Sequence, residues 1–148
     1  MTVAIGCDHG GYELKEKIKQ HLEERGISCQ DMGCHSREAV DYPIYGHAVA
    51  KAVAEGKCDK GIAICTTGIG ISISANKIPG IRCALCGDSL SAKMTRLHND
   101  ANVLALGAGI TGVNLALEIT DVFLDTEFSG QERHQRRIDL IEAVSDEK

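Results

Sequence analysis

The chain has 148 residues, of which 43% are hydrophobic and 25% charged, and this composition indicates one globular domain with a core of its own. Its net charge of −5 and its few aromatic residues, 3% of the chain, argue against the basic surface and stacking side chains of a nucleic-acid-binding protein. No apolar run approaches the roughly 18 residues that a membrane span needs, and the N-terminus lacks the basic start of a signal peptide. We therefore expect a cytoplasmic protein whose partner is a small molecule, with no nucleic acid and no membrane.

The seven cysteines are an odd number in a chain without an export signal, which favours reduced thiols over a disulfide framework. Cys83 and Cys86 form a CxxC pair, but the run IRCALC predicts a strand, and no second pair of ligands follows at the spacing of a zinc site. We expect no bound metal.

Five short apolar runs predict β-strands, and helical patterns separate them. The strands are expected at 2–7, 27–33, 61–65, 81–86 and 102–107. Leu14, Ile18 and Leu22 recur every four residues and predict a first helix that ends at Gly26. Further helices are expected over 47–56, 89–98, 114–125 and 131–144, with a short one starting in ISISANK after Gly70.

Near-continuously apolar strands that alternate with helices are typical of a parallel sheet covered on both faces, because each crossover must pass over the sheet. The sequence therefore predicts an α/β fold: a single doubly wound, Rossmann-like αβα sandwich with a five-stranded parallel sheet, forming one domain over 1–148. In such folds ligands bind beyond the carboxyl ends of the strands. Polar and glycine residues follow four of the predicted strands, at 8–11, 66–70, 87–89 and 107–109.

The stretch ICTTGIG places Cys65 at the end of an apolar strand and follows it with two threonines and two glycines. Glycines there let backbone N–H groups approach an anion, and a helix that begins next adds its positive end. The loop lacks the third glycine of a dinucleotide fingerprint, the arginine of a thiol phosphatase (Ile71 stands there) and the Gly-Lys pair of a Walker loop. Cys65 is therefore either a buried core residue or a thiolate that transfers a proton beside Thr67.

Two interpretations are also open for Asp8 and His9, which follow the first strand. Either Asp8 only caps the helix that starts near Gly11, or both side chains bind a ligand at the edge of the sheet.

His98 and two arginines are further candidates. His98 lies near the end of a helix, where it either complements the helix dipole or takes part in chemistry. The expected apolar stripe of that helix is Leu90, Met94 and Leu97. Arg133 and Arg137 are four residues apart and share a helix face, which is either a solvated surface or a site for a phosphate.

Five ordered motifs run through almost the whole chain: GCDHGG, DYP, ICTTGIGISISANKIPGIR, RLHNDANVLALG and RHQRRID. Together they resemble the sugar-phosphate isomerase family that contains the ribose-5-phosphate isomerases of type B and the subunits of galactose-6-phosphate isomerase. The resemblance implies an aldose–ketose isomerase that interconverts ribose 5-phosphate and ribulose 5-phosphate. The proton moves between C1 and C2 through an enediolate, and no metal or nucleotide cofactor is needed.

The resemblance also implies residue roles. Cys65 is the base, His98 opens the furanose ring, and Thr67 with the loop amides holds the enediolate oxygen; the loop positions are Thr66, Gly68, Ile69 and Gly70. Asp8, His9 and Asn99 contact the sugar, and Arg133 and Arg137 bind the phosphate.

The family further implies a homodimer, or a tetramer of such dimers, with shared active sites. One chain supplies the Cys65 loop, and the other supplies His98, Asn99 and the arginines. The C-terminal helix then packs on the partner subunit.

The sequence departs from the family pattern at three positions. Ile71 stands where one branch has a glutamate base, which places this chain in the cysteine branch. Relatives commonly have an arginine at Gly109 and a glycine at Thr66. Loss of an arginine contact to phosphate costs on the order of 1.5–3 kcal/mol. We therefore expect relaxed acceptance of larger or unphosphorylated sugars.

The sequence is also compatible with three alternative functions: a galactose-6-phosphate isomerase subunit, an allose-6-phosphate-type hexose isomerase, and a sugar-phosphate sensing module. Cys65, His98 and both arginines occur together in this chain, which favours a self-sufficient homodimer over a subunit that shares its catalytic groups with an unlike chain. Once the single domain is assigned, no segment is left for a sensor's output.

Overall fold

A five-stranded sheet with helices on both faces forms the centre of the molecule in the computed structural model, which describes residues 1–146. The strands are β1 (Thr2–Cys7), β2 (Ser28–Asp31), β3 (Lys60–Cys65), β4 (Cys83–Leu85) and β5 (Val103–Gly107). The helices are α1 (Tyr12–Glu24), α2 (Tyr42–Ala54), α3 (Ile69–Ala75), α4 (Ser89–Asn99), α5 (Val113–Asp125) and α6 (Glu132–Asp146), and a short 3-10 turn covers His9–Gly11.

The strands pair in the order β2-β1-β3-β5-β4, and every pair is parallel. The chain moves from β1 to one side to form β2 and then returns across the sheet to form β3. The strand order therefore reverses between β1 and β3, and the carboxyl ends of these two strands are where doubly wound folds bind ligands. The predicted fold class is confirmed.

Side-chain size differs between the two faces of the sheet. Val3, Ile5, Ile62 and Ile64 pack on the face covered by α1 and α5, with Phe123 among their partners. The other face carries small residues, among them Ala4, Ala63 and Ala105, under α2 and α3. Because these strand side chains are small, α2 approaches closely, and a Cβ atom at Gly61 would lie 2.6 Å from a methyl carbon of Val49. Cys65 lies on this second face.

Several boundaries differ from the sequence prediction. The two edge strands β2 and β4 are shorter than the runs 27–33 and 81–86, because an edge strand has a pairing partner on one side only. Helix α2 begins at Tyr42 instead of residue 47, with Pro43 in its first turn, where a missing N–H costs nothing. The one-domain prediction extends to residue 148, and Glu147 and Lys148 lie outside the described residues.

The predicted apolar stripe of α4 is wrong in part. Leu90 is 63% exposed, and the helix instead buries Ala92 and Arg96. Arg96 is buried because its guanidinium group donates to the carbonyls of Ala101 and Thr126 and to the Asp100 carboxylate. In the part of the chain that is described, no helix is both long and apolar enough to cross a membrane.

Candidate active site

Asp8 and His9 extend from the carboxyl end of β1. Asp8 is buried, and its Oδ1 accepts hydrogen bonds from the backbone N–H groups of Gly10 at 2.9 Å and Gly11 at 3.2 Å. Asp8 therefore caps the 3-10 turn that leads into α1, while α1 itself begins after Gly11 without a side-chain cap. The second oxygen of Asp8 has no protein donor within the described residues. The exposed His9 ring accepts a hydrogen bond at Nδ1 from the N–H of Val40, 3.1 Å away. Its Nε2 therefore carries the proton in the neutral ring and is free to donate outward.

Cys65 is the last residue of β3, one strand away from Asp8 in the sheet. It is 4% exposed and belongs to the core cluster under α2 and α3. Its Sγ also accepts a hydrogen bond from the N–H of Gly68 at 3.1 Å. A backbone donor at the start of a helix is the kind of contact that stabilises a thiolate. Cys65 thus packs in the core, and its sulfur also faces a backbone donor of the loop.

Side chains of the Cys65 loop accept hydrogen bonds from backbone N–H groups of the same loop. Thr67 Oγ1 accepts a hydrogen bond from the N–H of Ile69 at 3.2 Å, so the hydroxyl hydrogen of Thr67 is free to donate elsewhere. Gly68 has a left-handed φ of 76°, and a Cβ atom there would lie 2.5 Å from Leu85 Cδ1. A Cβ atom at Gly70 would lie equally close, at 2.5 Å, to the Tyr42 ring. The loop expected to bind an anion therefore contains two closely packed glycines. The N–H groups of Gly68 and Ile69 in this loop already donate to loop side chains.

Thr66 lies between two glycines at the ends of the neighbouring strands. Its carbonyl accepts from the N–H of Gly109 at 2.8 Å, and a Cβ atom at Gly109 would lie 2.9 Å from Thr66 Cγ2. On the other side, a Cβ atom at Gly10 would overlap Thr66 Oγ1. Thr66 and Gly109, two of the three positions that depart from the family pattern, are therefore in direct contact.

Five other cysteines have the properties of structural thiols. Burial raises the pKa of Cys7 and Cys83 to about 12 and the pKa of Cys29 and Cys86 to about 11. Burial also raises the pKa of Cys58. These side chains stay protonated near neutral pH. Within residues 1–146 no group of three or more histidine, cysteine or acidic side chains is arranged to hold a metal ion.

His98 lies in the last turn of α4 and stacks on His134 of α6, with ring centroids 4.3 Å apart and an interplanar angle of 17°. His134 is buried, and its burial, His98 and the nearby cations Arg133 and Arg137 lower its pKa. A neutral His134 thus supports the exposed ring of His98 from one side. Sequence reasoning missed His134; the only signal was its four-residue spacing from the buried Ile138.

Asn99 and the arginines complete this second group. Asn99 is exposed, and its carbonyl accepts from Nε of Arg82 at 2.8 Å. Arg133 and Arg137 are exposed on α6, as is Arg136. Within the described residues these three guanidinium groups have no carboxylate partner. The other four arginines of the chain are paired, as Arg25–Asp121, Arg37–Glu13, Arg82–Glu142 and Arg96–Asp100.

The site residues form two groups, one at the carboxyl ends of the strands and one at their amino ends. Cys65 pairs with Gly107 at the carboxyl end of β5. Asn99 binds Arg82, which directly precedes β4 at the amino end of the sheet. The length of β5, roughly 15 Å, separates the two ends of the sheet along the strand direction. One chain therefore brings Asp8, His9 and residues 65–70 together and brings His98 and Asn99 together with the α6 arginines, but it does not join the two groups.

A cavity lies beside each group. One of about 230 Å³ adjoins the Cys65 loop and is lined by Thr67, Ile69, Cys86 and Gly107, among others. A wider groove of about 800 Å³ adjoins Asn99, between the segment 76–84 and the exposed Ile141 and Val144 of α6.

Comparison with known proteins gives a consistent result. A family model described as Ribose/Galactose Isomerase matches residues 3–141. Ribose-5-phosphate isomerase B of Escherichia coli is 49% identical over 142 residues, which cover 96% of this chain and 95% of that protein. A galactose-6-phosphate isomerase subunit of Clostridium acetobutylicum is 40% identical, over 97% of this chain and 83% of that protein. The solved structure of Clostridium thermocellum ribose-5-phosphate isomerase B matches with a TM-score of 0.98 and 52% identity, over 99% of each chain.

Proposed function

Since the chain belongs to the ribose/galactose isomerase family and is an isomerase, we propose that it interconverts ribose 5-phosphate and ribulose 5-phosphate through an enediolate. The observation that carries the chemistry is the hydrogen bond from Gly68 N–H to Cys65 Sγ, 3.1 Å long, at the switch point of the sheet. It holds a sulfur atom beside a backbone donor, next to a threonine whose hydroxyl hydrogen is free.

Cys65 is the proton-transferring base in this proposal. As a thiolate it removes the proton from C2 of the open-chain aldose, and the hydroxyl proton of O2 then passes to O1 of the enediolate. The Cys65 thiol, whose proton exchanges with solvent, protonates C1, which leaves the carbonyl group at C2 and restores the thiolate; the reverse reaction uses the same sulfur. The charge that develops on the enediolate oxygen is stabilised by the hydroxyl group of Thr67 and by those N–H groups of the loop 66–70 that do not donate to loop side chains, which excludes Gly68 and Ile69. One positioned donor of this kind contributes about 3–4 kcal/mol.

His98 opens the furanose ring by proton transfer to the ring oxygen and from the anomeric hydroxyl. The stacked His134 fixes the plane of its ring. Asp8 and His9 bind sugar hydroxyl groups, with Asp8 as an acceptor and His9 as a donor from Nε2, and Asn99 contributes a further polar contact.

The phosphate binds to Arg133 and Arg137, whose guanidinium groups lack partners within the described part of the chain and share one face of α6. Planar guanidinium groups bind phosphate oxygens through two hydrogen bonds. This anchoring orients the reacting carbons from a distance and lowers the barrier through positioning.

The active enzyme in this proposal is a homodimer. The Cys65 loop lies at the carboxyl ends of the strands, and the His98 group lies at their amino ends. A complete site therefore requires a second copy of the chain, whose His98 group faces the Cys65 loop of the first. Apolar side chains next to both groups support this assembly: Ile69 and Ile73 of α3 are 50% and 55% exposed, and Leu140 of α6 is 66% exposed. We therefore place α6 on the partner subunit.

Gly109 contributes no charge to the phosphate site, and Thr66 fills the space from which a side chain at position 109 would start. This supports relaxed acceptance of other or unphosphorylated sugars.

All seven cysteines are free thiols, which supports a reducing compartment, the cytoplasm.

The test is a panel of ribose 5-phosphate, galactose 6-phosphate, allose 6-phosphate and the free sugars, assayed in D₂O with the purified protein. We expect the highest kcat/KM for ribose 5-phosphate, with solvent deuterium at C1 of the product. Preferred turnover of a hexose phosphate would instead favour the hexose isomerase. Binding of sugar phosphates without turnover would identify a sensing module.

A further inference from the structure

The side chain of Thr66 has a defined orientation between the ends of β1 and β5. Its methyl carbon faces Gly109, where an added Cβ atom would lie 2.9 Å away, and its hydroxyl oxygen faces Gly10 so closely that no Cβ atom fits. Because a β-branched side chain has few rotamers, packing of the methyl carbon against Gly109 also fixes the direction of the hydroxyl group.

The hydroxyl group of Thr66 is unused by the protein. Within residues 1–146 Thr66 is bonded through its carbonyl, which accepts from Gly109, while Oγ1 has no partner. The residue is exposed at the carboxyl edge of the sheet. A fixed, unpaired hydroxyl group therefore faces the region where the substrate is expected.

Asp8 presents a second unused polar atom at the same place. Its Oδ1 is bonded to two backbone N–H groups and lies 3.3 Å from the position of a Cβ atom at Gly10, the same position that Thr66 Oγ1 blocks. Its Oδ2 has no protein donor within the described residues, although the residue is only 6% exposed. The carboxylate of Asp8 and the hydroxyl group of Thr66 thus both lie close to the Cβ position of Gly10.

We propose that Thr66 is a specificity-determining residue whose hydroxyl group binds a sugar hydroxyl next to the one bound by Asp8 Oδ2. This inference rests on the proposed function, because it assigns a further contact in the same site. Two polar groups fixed a short distance apart suit two neighbouring hydroxyl groups of a sugar chain. A site that holds such groups rejects an analogue lacking one of them, because the protein group is then left unpaired.

The test compares wild type, Thr66→Val and Thr66→Ser on three substrates: ribose 5-phosphate and its 3-deoxy and 4-deoxy analogues. Valine keeps the shape without the hydroxyl group, and serine keeps the hydroxyl group without the methyl carbon. We expect Thr66→Val to lower kcat/KM for ribose 5-phosphate roughly two- to tenfold, the contribution of one neutral hydrogen bond. For one of the two deoxy analogues, the variant and the wild type should have equal kcat/KM, which identifies the hydroxyl bound by Thr66. Thr66→Ser should retain the wild-type preference in part.

The outcomes separate this inference from the proposed function. If wild type isomerises ribose 5-phosphate but Thr66→Val discriminates against both deoxy analogues as strongly as wild type does, the inference is wrong and the proposed function stands. If wild type does not isomerise ribose 5-phosphate, the proposed function fails, and this inference fails with it. Thermal denaturation of both variants verifies that they fold.

Discussion

Removal of single arginines from α6 tests the phosphate site. Arg133→Ala and Arg137→Ala each delete a guanidinium group that has no carboxylate partner within the described residues, so neither change breaks an ion pair there. Arg136→Ala is a matched control, because it removes the same charge from the same helix at a position about 60° around the helix axis from Arg133 and about 100° from Arg137.

The expected magnitude follows from the type of contact. A hydrogen bond to a charged group contributes about 1.5–3 kcal/mol, which corresponds to a loss of roughly 10- to 150-fold in kcat/KM for ribose 5-phosphate. Free ribose lacks the phosphate and should lose about threefold or less with either variant. Arg136→Ala should change kcat/KM for neither substrate by more than about threefold, because its side chain is rotated away from the direction that Arg133 and Arg137 share and acts on the phosphate only through screened attraction.

The assay is initial-rate kinetics on ribose 5-phosphate and ribose at one ionic strength, for wild type and the three variants. Equal losses in kcat/KM for Arg136→Ala and Arg133→Ala would mean that the effect comes from net charge alone, and the specific phosphate site would be wrong. Equal losses on the phosphorylated and the free sugar would mean that these arginines maintain the structure and do not bind phosphate.

Three further predictions concern ring opening, packing and pH. His98→Ala should lower kcat/KM for ribose 5-phosphate about a hundredfold, within the usual range for an acid–base group, but change the non-cyclising 4-deoxy analogue by less than about fivefold; similar losses on both would contradict ring opening by this residue. Gly109→Ala should destabilise the fold by about 1–3 kcal/mol through overpacking, whereas Gly87→Ala, with no atom within 4 Å of its Cβ position, should stay within about 0.5 kcal/mol in thermal denaturation. Burial of Asp31 opposes its ionisation, but hydrogen bonds from Lys15 and a second lysine outweigh burial and lower its pKa. The contribution of Asp31 to the free energy of unfolding is therefore present above its ordinary pKa, about 4, and is lost as pH falls below that value. Asp31→Asn should lower the free energy of unfolding by about 3 kcal/mol at neutral pH. A difference in unfolding free energy between the variant and wild type that does not narrow in acid would refute the linkage.

The sheet could be predicted from the sequence because its strands are continuously apolar, and this pattern does not depend on which strands become neighbours. The strand order and the lengths of the edge strands depend on pairing across the sheet, which a local pattern does not contain. The Cys65 loop was predictable for a similar reason, since a glycine-rich turn after a buried strand has a local signature.

Buried polar residues could not be predicted in the same way. Lys15 and Arg96 are buried because distant carbonyl and carboxylate groups bind them, and sequence reasoning places such side chains on the surface. His134 was missed because it stands among arginines in a helix that is otherwise largely exposed. The contact of Thr66 with Gly10 and Gly109 joins three strand ends that are far apart in the sequence.

The central claim is that the sulfur of Cys65 carries the proton between C1 and C2. The most direct measurement is deuterium incorporation from D₂O into ribose 5-phosphate and its product by Cys65→Ala, with calorimetry of substrate binding on the same preparation. The account predicts that binding is retained while both isomerisation and deuterium incorporation are abolished. Wild-type rates of incorporation by Cys65→Ala would contradict it, because another group would then be the base.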